Sequence, residues 1–194
     1  MSPRPRSTSD EEILTAAARV ISRVGSGRFT LGDIGEEAGL SPAGLVQRFG
    51  SKGGLLLALA EHRASGVPGR FAAARELHAS SLDALLHALA SIAHEVDTPE
   101  ALANLLAFEQ MHLDEDGFHA HALRHARTML AEIRALLDEA VEAGELAECD
   151  PDDLSRTVQT AYTGALSTWA VYRSGTLDDW LRGEVEAVLE PYRA

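Results

Sequence analysis

Residues 30 to 48 read TLGDIGEEAGLSPAGLVQR, a run with the layout of two short helices joined by a tight turn. Thr30 is a typical helix N-cap, and Ile34 and Ala38 repeat at the spacing of one helix face. Gly39 then stands where the chain must leave the helix, a position that favours a residue tolerant of positive φ. The pattern therefore predicts that the first helix of the pair ends at Ala38.

The second helix of the pair has Ser41 as its cap and Pro42 in its first position, where a missing N–H costs nothing. Leu45 and Phe49 are four residues apart and are predicted to pack back onto the first helix. The other side chains form an outward strip that is small at its start and polar after it. The strip consists of Pro42, Ala43, Gly44, Gln47 and Arg48.

This outward strip suits the major groove of DNA. Small residues let the helix N-terminus approach the backbone, while Gln47 can pair with an adenine edge and Arg48 with guanine or phosphate. An ordinary helical hairpin inside a plain bundle has the same spacing. Both interpretations follow from the spacing alone.

The rest of the chain also has helical periodicity, and no stretch alternates for long enough to predict a sheet. Cap residues followed one turn later by a carboxylate mark several helix starts, among them Ser9, Ser80, Asp150 and Thr176. We therefore predict an all-α fold. Its nine expected helices span residues 9–24, 30–38, 41–48, 51–65, 80–96, 99–112, 117–143, 150–173 and 177–190.

The predicted helices are short and closely spaced at first and long later, which indicates two domains. We place a DNA-binding domain at residues 1–52, with residues 1–8 as a disordered arm, and a larger domain at residues 53–194. Residues 63–70 contain two glycines and a proline, so they are predicted to be a linker.

Charge divides the chain in the same way. The net charge of the 194 residues is −13, which by itself argues against a nucleic-acid partner. Residues 1–52, however, hold seven basic and six acidic side chains, whereas the remainder holds ten and twenty-four. Such asymmetry favours a nucleic-acid or membrane contact at the less acidic end.

Other protein classes are excluded by simple features. The longest apolar run has six residues, whereas a membrane-spanning helix needs about 20. Cys149 is the one cysteine, which excludes an intrachain disulfide and a cysteine-based zinc finger. We therefore expect a soluble cytoplasmic protein with no membrane segment.

The stretch from Ile13 to Leu59 resembles the N-terminal DNA-binding domain of TetR-like transcriptional regulators. The resemblance is carried without a gap by Thr30, Ile34, Ala38, Gly39, Leu40, Ser41, Leu45, Phe49, Ser51, Lys52 and Leu55. It implies a three-helix helix-turn-helix head, linked by a fourth helix to a larger helical domain that binds a ligand and dimerises. Val46 departs from the family, which usually has an aromatic residue there.

The resemblance also implies a role for each residue of the head. Pro42, Ala43 and Gln47 would reach base edges, and phosphates would be held by other residues around the same helix. Lys52, the only lysine in the chain, would be one of these, at the positive end of the fourth helix. The complete expected DNA-binding set is Thr30, Ser41, Pro42, Ala43, Gly44, Gln47, Arg48 and Lys52.

A dimer is expected because a single head contacts only one half-site. The last two predicted helices carry apolar and small residues that could form a four-helix interface, or could complete the core of the monomer. The candidate interface residues are Val158, Ala161, Gly164, Ala165, Thr168, Leu181, Val185 and Val188.

The expected ligand site lies among the helices of the larger domain. Aromatic, thioether and imidazole side chains there adapt to small molecules, although each also suits a plain core. The candidates are Phe108, Met111, His112, Tyr162 and Trp169. No cluster of cations is visible in the sequence, so no class of ligand is favoured.

Four histidines near acidic residues raise a second interpretation, a metal-dependent helical bundle. His121 and His125 share a helix face, and Glu109 with His112 forms half of a di-iron signature. The nearest second half, Asp116 with His119, follows too closely to lie across a bundle, so we expect no metal.

The leading hypothesis is a ligand-responsive repressor that binds a palindromic DNA operator as a homodimer and is released by an unknown small molecule. It is expected to be neither an enzyme nor dependent on a cofactor. A helical interaction module without DNA binding is the third interpretation.

Overall fold

The computed structural model describes residues 8–25, 27–93, 96, 98–111 and 116–194. The residues described form ten α-helices and one short 3₁₀-helix, Glu190–Tyr192, with no β-strand among them. The α-helices are α1 Asp10–Val24, α2 Leu31–Ala38, α3 Pro42–Phe49, α4 Lys52–Ser65, α5 Val67–Leu77, α6 Ser81–Ala93, α7 Pro99–Met111, α8 Asp116–Glu142, α9 Pro151–Tyr172 and α10 Leu177–Leu189. The predicted all-α fold is confirmed.

Helix starts lie where the cap residues predicted them. Ser9 accepts a hydrogen bond from the N–H of Glu12 at 3.1 Å, and the Glu12 carboxylate accepts one from the N–H of Ser9 at 2.7 Å. Thr176 accepts from the N–H of Asp179 at 3.1 Å in the same way. Each cap satisfies a backbone donor that has no partner inside its helix, which fixes the start of α1 and α10.

The predicted linker at residues 63–70 is wrong. Helix α4 runs to Ser65, and α5 begins at Val67 with only Gly66 between them. Pro68 lies in the first turn of α5, where a proline needs no hydrogen-bond donor. Phe71 and Ala74 are fully buried, so the apolar face of α5 is part of the core.

The first three helices form the head. Helix α1 packs against α2 and α4, and α3 packs against both α2 and α4. Ile13, Phe29, Ile34, Leu45 and Leu55 are buried between these elements and bring all four helices onto one apolar cluster. The head is therefore stabilised by apolar side chains that pack together from α1 to α4.

The long helix α8 is the centre of the larger part of the chain, which we call the body. It contacts α4, α5, α6 and α9, while α10 packs against α9 and α6. Ile133, Leu136 and Leu137 on α8 are completely buried. Because α4 contacts both α1 and α8, the division after residue 52 stays a prediction.

Two further expectations concern the N-terminal arm and membrane-spanning helices. The predicted disordered arm, residues 1–8, lies outside the described residues except for Thr8. Among the helices that the structure describes, none is long and apolar enough to span a bilayer.

Candidate nucleic-acid interface and ligand cavity

The turn between α2 and α3 sets the direction of the exposed helix. Gly39 has φ +69° and ψ 32°, the left-handed conformation that glycine adopts at little cost. The N–H of Leu40 donates to the carbonyl oxygen of Gly35 at 2.8 Å. Ser41 then accepts from the N–H of Gly44 at 3.1 Å, so that α3 begins immediately after the turn.

Helix α3 presents the predicted strip to solvent. Leu45 is 1% exposed and faces the core, whereas Pro42, Ala43, Gln47 and Arg48 are exposed and Gly44 is half-buried. Val46 is 42% exposed and adds an apolar side chain to the same surface. The arrangement presents a short, narrow helix face that fits a DNA groove, and the base contacts assigned to it stay predictions.

Thr30 is occupied by its role as a cap. Its hydroxyl donates to the Asp33 carboxylate at 2.8 Å and accepts from the N–H of Asp33 at 3.2 Å. The backbone N–H of Thr30 also donates to that carboxylate at 2.6 Å. These hydrogen bonds, from the backbone first and the hydroxyl second, hold the pKa of Asp33 below its ordinary value. Phosphate binding by Thr30 therefore has to compete with the cap.

The cations of the head are anchored to particular partners. Arg48 pairs with the Asp10 carboxylate at 3.1 Å and donates to the carbonyl oxygen of Thr8. Arg19 and Arg23 both pair with Glu37, at 3.1 and 3.2 Å. The charge of the head is thus partly neutralised by its own carboxylates, which lowers its non-specific attraction to phosphates.

Arg28 is a candidate phosphate contact that the sequence interpretation did not assign. It is exposed in the loop before α2, and the described residues offer its guanidinium no ion pair. Lys52 donates a hydrogen bond to the carbonyl oxygen of Phe29, the residue that follows Arg28. This contact, which places Arg28 near Lys52, could not be predicted from the sequence.

A cavity of about 490 Å³ lies between the head and the body. Leu14, Thr15 and Ala18 of α1 form part of its wall, and residues of α4 to α9 form the rest. Its volume lies within the range of sites that hold drug-sized molecules. A ligand in this cavity would touch the head directly.

Only some of the predicted ligand residues line the cavity. Tyr162 does, and it is 5% exposed. Phe108 and Trp169 are buried elsewhere in the core: Phe108 packs edge-on against Phe118, and the Trp169 indole N–H donates to the carbonyl oxygen of Gly175 at 3.3 Å. They do not line this cavity, and their assignment to a ligand site stays a prediction.

The remaining two ligand candidates cannot be placed. His112 and the side chain of Met111 lie outside the described residues.

The sequence interpretation missed most of the polar lining of the cavity. Arg63 and Arg70 lie on either side of the junction between α4 and α5, within the segment that was predicted to be a linker. Arg63 pairs with Glu109 at 3.4 Å, and Arg70 donates to the carbonyl oxygen of Ser91 at 2.5 Å. Arg63 and Arg70 are seven residues apart, which is about two helical turns. That spacing predicts a shared face only if residues 63–70 are helical, and we had predicted a linker there.

Burial controls the protonation of two further lining residues. Burial raises the pKa of Tyr162 well above its ordinary value, and Glu109 raises it further. Burial lowers the pKa of His125, against the opposing effect of Glu109. At neutral pH, Tyr162 is therefore a hydrogen-bond donor and His125 is uncharged.

The predicted dimer residues divide into two groups. Val158, Ala165, Leu181 and Val185 are at most 2% exposed and complete the core of their own chain, so their placement on an interface is corrected. The other four reach the surface. Gly164 and Thr168 are exposed, and Ala161 and Val188 are half-buried.

The histidine cluster forms no metal site among the described residues. No group of three or more His, Cys, Asp or Glu side chains in this part of the chain is arranged to hold a metal ion. His112 and the side chain of Asp116, which the di-iron signature requires, lie outside the description.

Comparison with known proteins agrees with this geometry. Residues 13–59 match the family model described as bacterial regulatory proteins, tetR family. No curated protein matches the sequence.

Several solved structures have a similar fold over nearly the whole chain. A TetR transcription regulator from Haloarcula marismortui ATCC 43049 is 17% identical with a TM-score of 0.79, and the match covers 95% of this chain and 98% of that one. A TetR-family transcriptional regulator from Rhodococcus sp. is 24% identical with a TM-score of 0.69, and the match covers 93% of this chain and 98% of that one. SmeT, the repressor of the Stenotrophomonas maltophilia multidrug efflux pump SmeDEF, is 20% identical with a TM-score of 0.67, and the match covers 96% of this chain and 91% of that one.

These three identities are low enough that the solved structures establish the fold alone, while the sequence match of the head is independent of them. Residues 13–59 therefore match the family model of the N-terminal part of tetR-family bacterial regulatory proteins, and the chain as a whole has the fold of the solved TetR-family structures.

Proposed function

We propose that this protein is a dimeric transcriptional repressor that reads a palindromic operator with α3 and leaves it when a small molecule binds. The observation that carries the proposal is the outward face of α3, where small residues are followed by Gln47 and Arg48 on a helix fixed by the Gly39 turn. A glutamine on such a face can donate to and accept from adenine in the major groove.

The dimer is needed for specificity, because one α3 reads only a few base pairs. Two heads on a twofold axis read half-sites about 34 to 36 Å apart, or a multiple of that distance. The exposed small residues on α9, Gly164 and Thr168, let a partner helix approach closely and support a dimer through this face.

Release by a ligand is supported by the position of the cavity. Thr15 and Ala18 on α1 face it, so a molecule inside would contact a helix of the head itself. Asn104 on α7 donates to the carbonyl oxygen of Ser22 on α1 at 2.8 Å and forms a second connection between head and body. A coupling of about 1 to 3 kcal/mol would weaken operator binding roughly 5- to 150-fold.

The proposal also makes the protein a cytoplasmic regulator that performs no catalysis and needs no cofactor. The SmeT repressor has a similar fold, which supports repression as the mode of action. The direction of regulation is tested by whether the purified protein blocks transcription from a promoter that contains its selected site.

Selection of bound fragments from random duplexes tests the reading of DNA. A palindromic consensus supports the proposal, whereas a consensus without twofold symmetry contradicts the dimer and the absence of any enrichment at low salt contradicts DNA binding. Gln47→Ala should relax the preference at one base position in each half-site, at a cost of about 1 to 3 kcal/mol. Gln110→Ala is the matched control, since Gln110 is exposed on α7 and does not line the cavity, and it should leave the consensus unchanged.

A further inference from the structure

The cavity between the head and the body is lined by charged groups of opposite sign that differ in solvent exposure. Arg63 and Arg70 line it, and the Arg63 side chain is 23% exposed. Glu109, the acidic partner of Arg63, is 49% exposed, and Glu11 at the edge of the cavity is also exposed. The Arg63 and Arg70 side chains are therefore less exposed to solvent than the two carboxylates.

Tyr162 lies near the same two arginines. The guanidinium groups of Arg63 and Arg70 both act electrostatically on its hydroxyl, opposing the larger effects of burial and Glu109. One region of the cavity therefore combines a phenol that retains its proton with two guanidinium groups.

The remainder of the lining is predominantly apolar. The side chains away from the arginines offer no charge to a ligand and would favour a hydrocarbon or aromatic body. They include Leu59, Val67, Leu102, Leu105, Met129 and Leu166.

From this arrangement, and resting on the proposed function, we propose that the cavity binds an amphipathic organic anion, a molecule with one carboxylate on an apolar body. The carboxylate would lie at Arg63, Arg70 and Tyr162, and the apolar body would lie along the leucine-rich wall. A guanidinium carries five N–H donors, so Arg63 can hold a ligand carboxylate while it keeps its contacts within the protein, Glu109 among them.

An apolar cation is the competing ligand class, because Glu109 and Glu11 also line the cavity. Its charge would be attracted to the exposed carboxylates and repelled by the less exposed arginines. It would therefore have to keep its apolar body in the less enclosed part of the cavity, which gives up burial that the anion retains.

The experiment compares ligands that differ in charge and share one apolar body. Decanoate, decanol and decylammonium are titrated into the DNA-free protein by calorimetry, together with 2-naphthoate and 2-naphthol. We expect at least one carboxylate to bind about tenfold or more tightly than its neutral counterpart, as charge-assisted hydrogen bonds require. The proposal is overturned if neither carboxylate exceeds its neutral counterpart, or if decylammonium binds tightest.

Two variants locate the carboxylate within the cavity. Tyr162→Phe retains the ring and removes one donor, so it should weaken carboxylate binding several-fold and leave decanol unchanged. Arg70→Gln should remove most of the preference for the carboxylate over the alcohol. Arg127→Gln is the matched control, since Arg127 is exposed on α8 and does not line the cavity. Equal effects of Arg70→Gln and Arg127→Gln would overturn the assignment.

Failure of this inference is distinguishable from failure of the proposed function, because ligand binding is measured without DNA. A protein that binds its selected duplex and ignores both carboxylates contradicts only the ligand class. A protein that binds carboxylates through Arg70 and binds no duplex supports the ligand class and contradicts the repressor.

Discussion

The ammonium group of Lys52 donates a hydrogen bond to the carbonyl oxygen of Phe29 at 2.7 Å and lies 3.8 Å from the centroid of the Phe29 ring. This contact ties the first turn of α4 to the residue that precedes the cap of α2. An ammonium group has three donors, so the hydrogen bond to Phe29 leaves two for a phosphate. The contact with Phe29 is thus compatible with the phosphate-binding role that we propose for Lys52.

Lys52→Ala should weaken binding to all duplexes alike. Loss of one phosphate contact lowers the slope of log K against log salt by about one. Fluorescence anisotropy at several salt concentrations, with the selected operator and a scrambled duplex, measures this slope. Lys52→Arg should retain most of the affinity because it keeps the charge.

Arg156→Ala is the control, since Arg156 is exposed on α9 and pairs with Asp153 of its own helix. An effect of Lys52→Ala confined to the operator would instead make Lys52 a base-reading residue and contradict the phosphate role.

Gly54 permits a close approach between α4 and the end of α3. A Cβ atom at Gly54 would lie 2.1 Å from the carbonyl oxygen of Phe49, whereas one at Gly53 would meet only the Ser51 hydroxyl at 3.7 Å. Gly54→Ala should therefore destabilise the fold by about 1 to 3 kcal/mol, through overpacking against backbone. Gly53→Ala should stabilise it by up to about 1 kcal/mol, since alanine favours helix.

Urea unfolding of the two variants provides the measurement, and their adjacent positions make each a control for the other. Gly54→Ala should also weaken operator binding, because the clash displaces the end of α3, the helix that we propose reads DNA. Equal stability of the two variants would show that the α3–α4 junction relaxes freely.

The helix boundaries were predictable because they depend on local chemistry. A cap such as Ser41 followed by Pro42, or Thr30 with Asp33, fixes a helix start whatever the tertiary structure is. The left-handed turn at Gly39 is a local requirement of the same kind. The exposed face of α3 followed from these signals together with the spacing of its apolar residues.

The cavity and the split of the dimer face were not predictable from local signals. Pro68 and Gly69 are breakers inside a helix but tolerable in its first turn, and only packing of Phe71 against the body identifies α5 as a helix. The positions of Arg63 and Arg70 on the cavity followed from that helix. On α9, Val158 and Gly164 are both compatible with an interface, and burial alone separates them.

Glu145 links the end of α8 to the start of α6 and makes stability depend on pH. Its carboxylate accepts from the Ser80 hydroxyl at 2.7 Å and from the N–H groups of Ser81 and Leu82 at 2.8 and 3.1 Å. Burial by itself would raise the pKa of Glu145, but these hydrogen bonds together hold it below its ordinary value. The ionised carboxylate therefore stabilises the folded state.

Glu145→Gln should lower the free energy of unfolding by about 1 to 3 kcal/mol at neutral pH, since it loses charge-assisted hydrogen bonds. The folded pKa is depressed, so this contribution is complete above the unfolded pKa near 4.5 and is lost as pH falls through the folded pKa. Urea unfolding at pH 7, 5, 4 and 3 should show the variant and the parent converging below pH 4.5.

Glu148→Gln is the matched control, since Glu148 is exposed three residues further along the same loop. If the free energies of unfolding of Glu145→Gln and the parent differ by the same amount at all four pH values, the charge of Glu145 does not contribute to stability, and our explanation is contradicted.

The exposed face of α9 offers a test of the dimer that spares the fold of the monomer. Gly164 is exposed, and a Cβ atom there would meet nothing within 4 Å. Gly164→Arg should therefore leave thermal stability of the isolated chain almost unchanged while its long, charged side chain prevents a partner helix from approaching. Gly69→Arg, at an exposed position on α5 that is equally open, is the control.

Sedimentation velocity and operator binding are the two measurements for these variants. We expect Gly164→Arg to be monomeric and to lose cooperative binding to the two half-sites, while Gly69→Arg behaves as the parent. The reason is geometric: α3 of each head is placed at the half-site spacing only if the bodies are joined. A Gly164→Arg protein that remains dimeric would move the interface away from this face of α9, and one that is monomeric yet binds the palindrome unchanged would remove the dimer from the mechanism.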